Sequence, residues 1–356
     1  MNYRKHFAAV AVLVLLGTVV TYLVLTAIYA LPDAASGEAT SIDTLFQGHF
    51  LLISFLFALV IGFMLYSIVV FRRRPGEEDA QGDYFHGHTG LEIIWTIVPL
   101  ALVIFFGIWA TQLLRDITAP ADDEMVVEVF GQQWSWYFVY PELDDLRTTE
   151  LVLPVDRTIR LEMQSLDVLH SFWVPEFRVK QDLVPGRVTE LRITPTQTGT
   201  YKTRCAEICG NQHAYMLADV RVLSENEFDG WVRENSLDPT AMTAVERGEL
   251  WYTQFGCNAC HSLDGTVVVG PSWQGLFGSQ RSLESGETVT AGEEYLRNSI
   301  LHPNDQVVEG FAPSMPQTFE EQFAEEEAKY DDQIDIVEDL IAYIRSLNET
   351  AAVIQQ

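Results

Sequence analysis

The side chains best suited to chemistry in this chain gather in two short stretches. The first, from Cys205 to Met216, holds two thiols (Cys205, Cys209), an imidazole (His213) and a thioether (Met216), with Glu207 between the cysteines. Soft sulfur together with imidazole is the donor set that copper takes in electron-transfer sites. A loop, unlike a helix, can turn all four side chains toward one point. A second imidazole has a natural source in His170, within Asp167-Val-Leu-His-Ser-Phe. Three arrangements compete. A Cys205–Cys209 disulfide leaves His213 and Met216 unexplained. A single copper on His170, Cys209, His213 and Met216 leaves Cys205 spare. Two coppers bridged by both thiolates, with His170 and His213 as terminal ligands, use every soft residue.

The second stretch is Cys257-Asn-Ala-Cys260-His261. Two thiols one helical turn apart, followed at once by an imidazole, form the attachment signature of haem c. A zinc site would want more Cys or His nearby, and a thioredoxin-like redox motif would want a βαβ context that the flanking sequence lacks. The sixth iron ligand should arrive from the C-terminal half, where Met315 is the only methionine after the attachment site and His302 is its rival. Methionine opposite histidine raises haem potential. With both cysteine pairs assigned to cofactors, none of the four thiols remains for a disulfide.

These constellations need elements to carry them. Apolar runs at 7–31, 50–71 and 91–114 each exceed the roughly 20 residues that span a bilayer as a helix, and none contains Lys or Arg. Arg4 and Lys5 before the first run and Arg72 to Arg74 after the second mark the cytoplasmic side, which puts everything beyond the third run outside. The first run is expected to be a retained span, its apolar length exceeding that of a signal peptide's core. Short alternating segments such as Met125–Phe130 and Thr158–Met163, with turns at Pro154, Pro175, Pro185-Gly186 and Gly199, predict a β-sandwich over residues 120–232. A polar linker is expected at 233–243, a small all-α domain at 244–348 and a tail at 349–356. Thr290 and Glu293 form a capping-box pattern ahead of one of its helices.

The formal charge of −28 over 356 residues excludes nucleic-acid binding, since no basic patch exists to meet phosphates. An acidic surface suits either a cationic redox partner or solubility in high salt.

The pattern Cys-x-Glu-x-Cys-Gly-x-x-His-x-x-Met, with Asp-Val-Leu-His-Ser-Phe upstream, resembles the copper A site of cytochrome c oxidase subunit II, a likeness extending over roughly Leu45 to Leu223. The resemblance implies a membrane protein with a cupredoxin-like sandwich. One copper would be held by His170 and Met216 and the other by His213 and the Glu207 carbonyl, with Cys205 and Cys209 shared. It also implies a magnesium ion on the Glu207 side chain at the border with the catalytic subunit. Gly131 to Pro141 is similar to the family's aromatic stretch, making Trp134 the candidate electron relay; a Trp-rich strand is otherwise plain core. Glu92, in Glu-x-Ile-Trp-Thr-Ile-x-Pro, would stand at a proton-channel entrance rather than simply being solvated at a helix end.

The C-terminal part resembles class I cytochromes c through Gly270-Pro271 and Met315-Pro316, which favours Met315 over His302. The segment Gly275–Ser279 lacks that family's arginine, leaving Arg281 as the candidate propionate partner. Together these likenesses imply a caa-type oxidase subunit in a bacterial plasma membrane, with its copper and haem domains on the periplasmic side. Electrons would come from a cytochrome c, a copper protein or a quinol-oxidising complex. They would pass through haem c and copper to a catalytic subunit I that reduces oxygen and pumps protons. A nitrous oxide reductase would need a second, His-rich copper cluster, for which eight dispersed histidines do not suffice. A quinol oxidase subunit would lack the copper ligands, and a free-standing membrane-anchored carrier would give Glu92 no channel to serve.

Overall fold

The computed structural model describes residues 3–76, 84, 86–331 and 333–354. It divides into two compact units, Met1–Ala119 and Pro120–Gln356.

The first unit is three helices, α1 (Tyr3–Ile28), α2 (Gly37–Val70) and α3 (Thr89–Thr118), all long and apolar enough to cross a membrane. Small residues let α1 and α2 approach closely: a Cβ on Gly17 would stand 3.1 Å from that of Ala58. Such contacts are how helices associate where lipid removes the hydrophobic drive. The second helix starts well before residue 50, the expected boundary. Apolarity marks membrane depth, whereas the helix end is set by Ser36, whose hydroxyl accepts from the Ala39 N–H.

In the second unit, β1 (Met125–Gln132), β2 (Ser135–Tyr140), β3 (Leu146–Thr148), β4 (Leu151–Pro154), β5 (Ile159–Ser165), β6 (His170–Trp173), β7 (Lys180–Leu183), β8 (Thr189–Ile193), β9 (Gly199–Cys205) and β10 (Leu217–Leu223) form two five-stranded sheets, ordered β3-β2-β1-β5-β8 and β4-β10-β9-β6-β7. The pairs β1–β5 and β4–β10 are parallel. Met125, Val127 and Val129 of β1 and Ile159, Leu161 and Met163 of β5 point inward, the period of two that the sequence carries.

The chain does not leave the sandwich as a loose polar linker. Ser224 and Glu227 cap a helix α4 (Glu225–Asn235) whose Phe228 and Trp231 are buried, and Pro239 is buried as well. The helical part comprises α5 (Ala244–Gln254), a two-stranded ribbon β11 (Gln280–Ser282) and β12 (Thr288–Thr290), α6 (Glu293–Leu301), α7 (Phe319–Glu327) and α8 (Ile336–Ile354). Thr290 lies in the ribbon and Gly292 caps α6, so the expected capping box forms instead at Thr243 and Glu246 ahead of α5. The last helix runs on to Ile354, past residue 348.

Gly248 lets α5 and α8 cross closely, since a Cβ there would lie 2.1 Å from the Asp339 carbonyl oxygen. Beside it Asp339 takes both Arg247 Nε and Nη2 at 2.7 Å and the Trp251 indole N–H at 3.1 Å. The bidentate pair and the buried indole fix the rotation of one helix against the other.

Candidate functional site

The first cluster lies where β6, β9 and β10 end together. Ala206 N–H donates to the Ser171 carbonyl at 2.9 Å and Cys205 N–H to that of Met216 at 3.2 Å, so the loop from Cys205 to Met216 is tied down at both ends. All four cysteines of the chain are free. The two sulfurs of the loop stand 3.7 Å apart, too far for a disulfide. Donor atoms of His170, Cys205 and Cys209 all lie within 4.8 Å of one another. Each imidazole faces a different sulfur: His170 Nδ1 is 3.9 Å from Cys205 and His213 Nδ1 is 3.6 Å from Cys209. Met216 Sδ lies 3.8 Å from Cys209 Sγ, and the Glu207 carbonyl oxygen 3.1 Å from Cys205 Sγ. Donors strung along a pair of sulfurs in this way suit two ions better than one. His170 and Met216 are fully enclosed, whereas Glu207 is exposed.

Asp167 accounts for the orientation of His170. Its Oδ1 meets His170 Nε2 at 2.8 Å, which turns Nδ1 toward the sulfurs. Burial is the largest influence and opposes charge on both partners, but their mutual hydrogen bond and charge attraction, together with the Cys205 contact for His170 and the Gln133 and Val168 N–H groups for Asp167, outweigh it, raising the His170 pKa and lowering that of Asp167. Burial likewise pushes the Cys205 thiol up, but hydrogen bonds from His170 and from the backbone bring it down to about 6. Burial and the neighbouring Cys205 sulfur push Cys209 up to about 12. The loop is thus ready to present one thiolate, and a cation is what would release the second proton.

The second cluster is a crevice in the helical part, lined by Cys257, Cys260, His261, Pro271, Tyr295, Val308, Phe311 and Met315. His261 Nδ1 donates to the Pro271 carbonyl at 2.7 Å, leaving the Nε2 lone pair free to ligate a metal. Gly270 is needed beside it, since a Cβ would come within 2.6 Å of the ring. Burial lowers the His261 pKa and keeps the ring neutral, as a metal ligand must be. Burial also pushes the Cys257 thiol up to about 12 and raises Cys260. His302 is exposed and does not line the crevice, whereas Met315 is half-buried against the helical core. Arg281, on β11, does not line it either.

Trp134 belongs to both clusters. It lines the crevice, and its indole N–H donates to the Cys209 carbonyl at 3.1 Å, beside the Gln133 amide at 2.7 Å. Sequence reasoning passed over Gln133, and also Trp136, whose indole donates to the Met216 carbonyl at 3.3 Å and packs edge-on against His170. In sequence they look like any residues of an aromatic strand; only the fold brings them to the loop. Glu92, in the first turn of α3, accepts from the His88 N–H at 3.2 Å and is exposed.

The families described as the transmembrane and the periplasmic domain of cytochrome c oxidase subunit II match residues 24–113 and 145–223. Cytochrome c oxidase subunit 2 of Thermostichus vulcanus is 32% identical over 265 residues, 59% of this chain and 80% of that protein. Its counterpart in Alkalihalophilus pseudofirmus is 30% identical over 300 residues, 81% of this chain and 82% of that one. A match of that breadth exceeds what residues 1–223 can supply, so it reaches into the helical part. The crystal structure of the periplasmic domain of subunit II of Bradyrhizobium japonicum cytochrome oxidase shares 32% identity over 33% of this chain and 95% of that chain, at a TM-score of 0.31.

Proposed function

Because this chain belongs to the cytochrome c oxidase subunit II family, and so is the electron-entry subunit of a membrane-bound oxidase, we propose that it takes electrons at a haem c in its helical part and delivers them to a copper pair in its sandwich. The carrying observation is Trp134, which lines the crevice of Cys257, Cys260 and His261 while its indole holds the carbonyl of Cys209.

Cys257 and Cys260 would anchor the porphyrin, and His261 and Met315 would hold its iron. Cys205, Cys209, His170, Met216, His213 and the Glu207 carbonyl would hold the copper pair. When bound, the two groups supply one-electron redox chemistry at positions that the protein fixes. The protein's part is to orient and to enclose. Asp167 holds the His170 ring, Pro271 holds the His261 ring, and the buried setting of both sites limits the solvent rearrangement that each transfer requires. Trp134 would form a route between the two groups, through its hydrogen bond to the Cys209 carbonyl. The exposed Glu207 carboxylate would share a magnesium ion with the catalytic subunit, and Glu92 would admit protons from the cytoplasmic side of a bacterial plasma membrane.

The test is the oxidase purified from its native membrane. The expected result is this chain carrying one covalent haem c, together with an EPR spectrum of one electron shared over two coppers. A chain without covalent haem, or a copper signal confined to one nucleus, would overturn the reading. Met315→Ala should remove the sulfur-to-iron charge-transfer band; a wild type without that band, whose haem spectrum changes in His302→Ala and not in Met315→Ala, would reassign the ligand.

A further inference from the structure

The buried Arg147 on β3 has a use that neither site explains. Its guanidinium lies between two aromatic faces, 3.6 Å from the ring centre of Tyr137 in the sandwich and 4.3 Å from that of Phe255 in the helical part. Its Nε donates to the Gln254 carbonyl at 3.2 Å and its Nη2 to the Gln322 side-chain oxygen. The Gln322 amide then donates to Gln132 Oε1 at 3.1 Å and to Thr318 Oγ1 at 2.8 Å, and Thr318 itself donates to Gln132 at 2.9 Å. Gln132 and Gln322 are both buried.

The placement of these groups gives the contact its meaning. Gln254 and Phe255 stand three and two residues before Cys257, Thr318 three residues after Met315, and Gln132 immediately before Gln133 and Trp134. The contact therefore grips both rims of the crevice and the strand end that reaches the copper loop. A guanidinium stacked on two rings and forked between two acceptors has one geometry, because all its donors lie in one plane. Buried polar groups so joined resist separation, since parting them would strand each in an apolar interface.

We propose that Arg147, with Gln132 and Gln322, is an interdomain latch that holds the helical part in a single docked pose on the sandwich, so that electrons cross without any swing of a tethered domain. Arg147 is a positioning residue in this scheme, acting through Phe255 and Trp134. The proposal rests on the reading above that a haem c and a copper pair face each other across this contact.

The experiment is flash reduction of the haem in the intact oxidase, following the copper signal while glycerol raises the viscosity. Wild type should transfer at a rate independent of viscosity. Arg147→Ala and the milder Gln322→Ala should be slower, by about tenfold for the arginine variant. Their rates should fall further as viscosity rises, with haem and copper spectra unchanged. Arg147→Lys, which keeps the charge but loses the planar fork, should not restore the wild-type rate. A viscosity-dependent wild type, or variants with wild-type rates, would overturn the latch. Amide exchange within α7 provides a readout that needs no haem: it should quicken in Gln322→Ala, and unchanged exchange would also overturn the proposal. Absence of covalent haem with exchange still quickened would refute the functional reading and leave the latch standing.

Discussion

The copper loop and the crevice proposed to hold a haem carry similar donors in opposite ways. In the loop, donors from Cys205 to Met216 sit on one short segment clamped between strand ends, with sulfurs and imidazoles already 3.6 to 3.9 Å apart. In the crevice, Cys257, Pro271, Tyr295, Val308 and Met315 converge from distant parts of the sequence onto a cleft in their own hydrophobic core. A site drawn from one loop and the adjoining strand β6 of a single sheet inherits its geometry from the backbone ladders. A site drawn from scattered segments around a cleft depends on its occupant to complete the core. The first should keep its full stability without cofactor, whereas the second should still fold but lose much of its stability.

The largest effect should therefore follow loss of haem. Replacing Cys257 and Cys260 together by Ala should destabilise the helical part by on the order of 4 kcal/mol, the worth of a tightly held group that binds only the folded state. Separate calorimetric transitions for the two parts would register it, and a helical transition unmoved by haem loss would break the comparison. Next comes Gly248→Ala, which places a methyl against the Asp339 carbonyl and the Tyr343 side chain where α5 crosses α8. A cost of about 3 kcal/mol is expected, because backbone cannot yield as a flexible side chain can. Thermal unfolding should show that cost in the helical transition alone. Cys205→Ser probes the other region. It should abolish the two-copper EPR signal while lowering sandwich stability by only about 1 kcal/mol, since the ladders of β6, β9 and β10 do not depend on metal. A sandwich that unfolds on this substitution would make the two regions alike.

Legibility in the sequence follows the same division. The loop could be read because its donors are neighbours in the chain and their spacing is itself the signal. The cysteine–histidine signature was equally plain. The strands followed from their period of two, and the membrane helices from uninterrupted apolarity. What could not be read depends on partners far away in sequence. Arg147 looks like an ordinary strand arginine until Phe255 and Gln322 arrive. The polar stretch at 233–243 looks like a linker because the end of α4 at Asn235 and the burial of Pro239 appear only in the fold. Thr290 matched a capping box that the ribbon pairing of Arg281 with Val289 overrides. Local patterns register local energetics, and the interdomain contact has no local pattern.

An effect of the same small size belongs to the sandwich edge and vanishes at low pH, which separates charge from packing there. Glu124, just before β1, accepts from Arg192 Nε of β8 at 2.7 Å and from the Ala121 N–H at 2.7 Å, and it lies 3.4 Å from Arg160 of β5. Its carboxylate thus ties three neighbouring strands of one sheet. Burial works against the charge, but the Arg192 hydrogen bond, the Ala121 N–H and both arginine charges outweigh it and lower the pKa below the ordinary 4.5. A carboxylate depressed in the folded state adds stability that is complete above its unfolded pKa and is lost as pH falls through the folded one. Glu124→Gln should therefore cost about 1 kcal/mol at neutral pH, and the gap from wild type should close on acidification through the carboxylate range. Thermal unfolding of the sandwich transition across that range would decide the matter. A gap of constant size would mean that Glu124 contributes by shape alone, whereas a closing gap would place the sandwich's acid sensitivity at this edge, away from the copper loop.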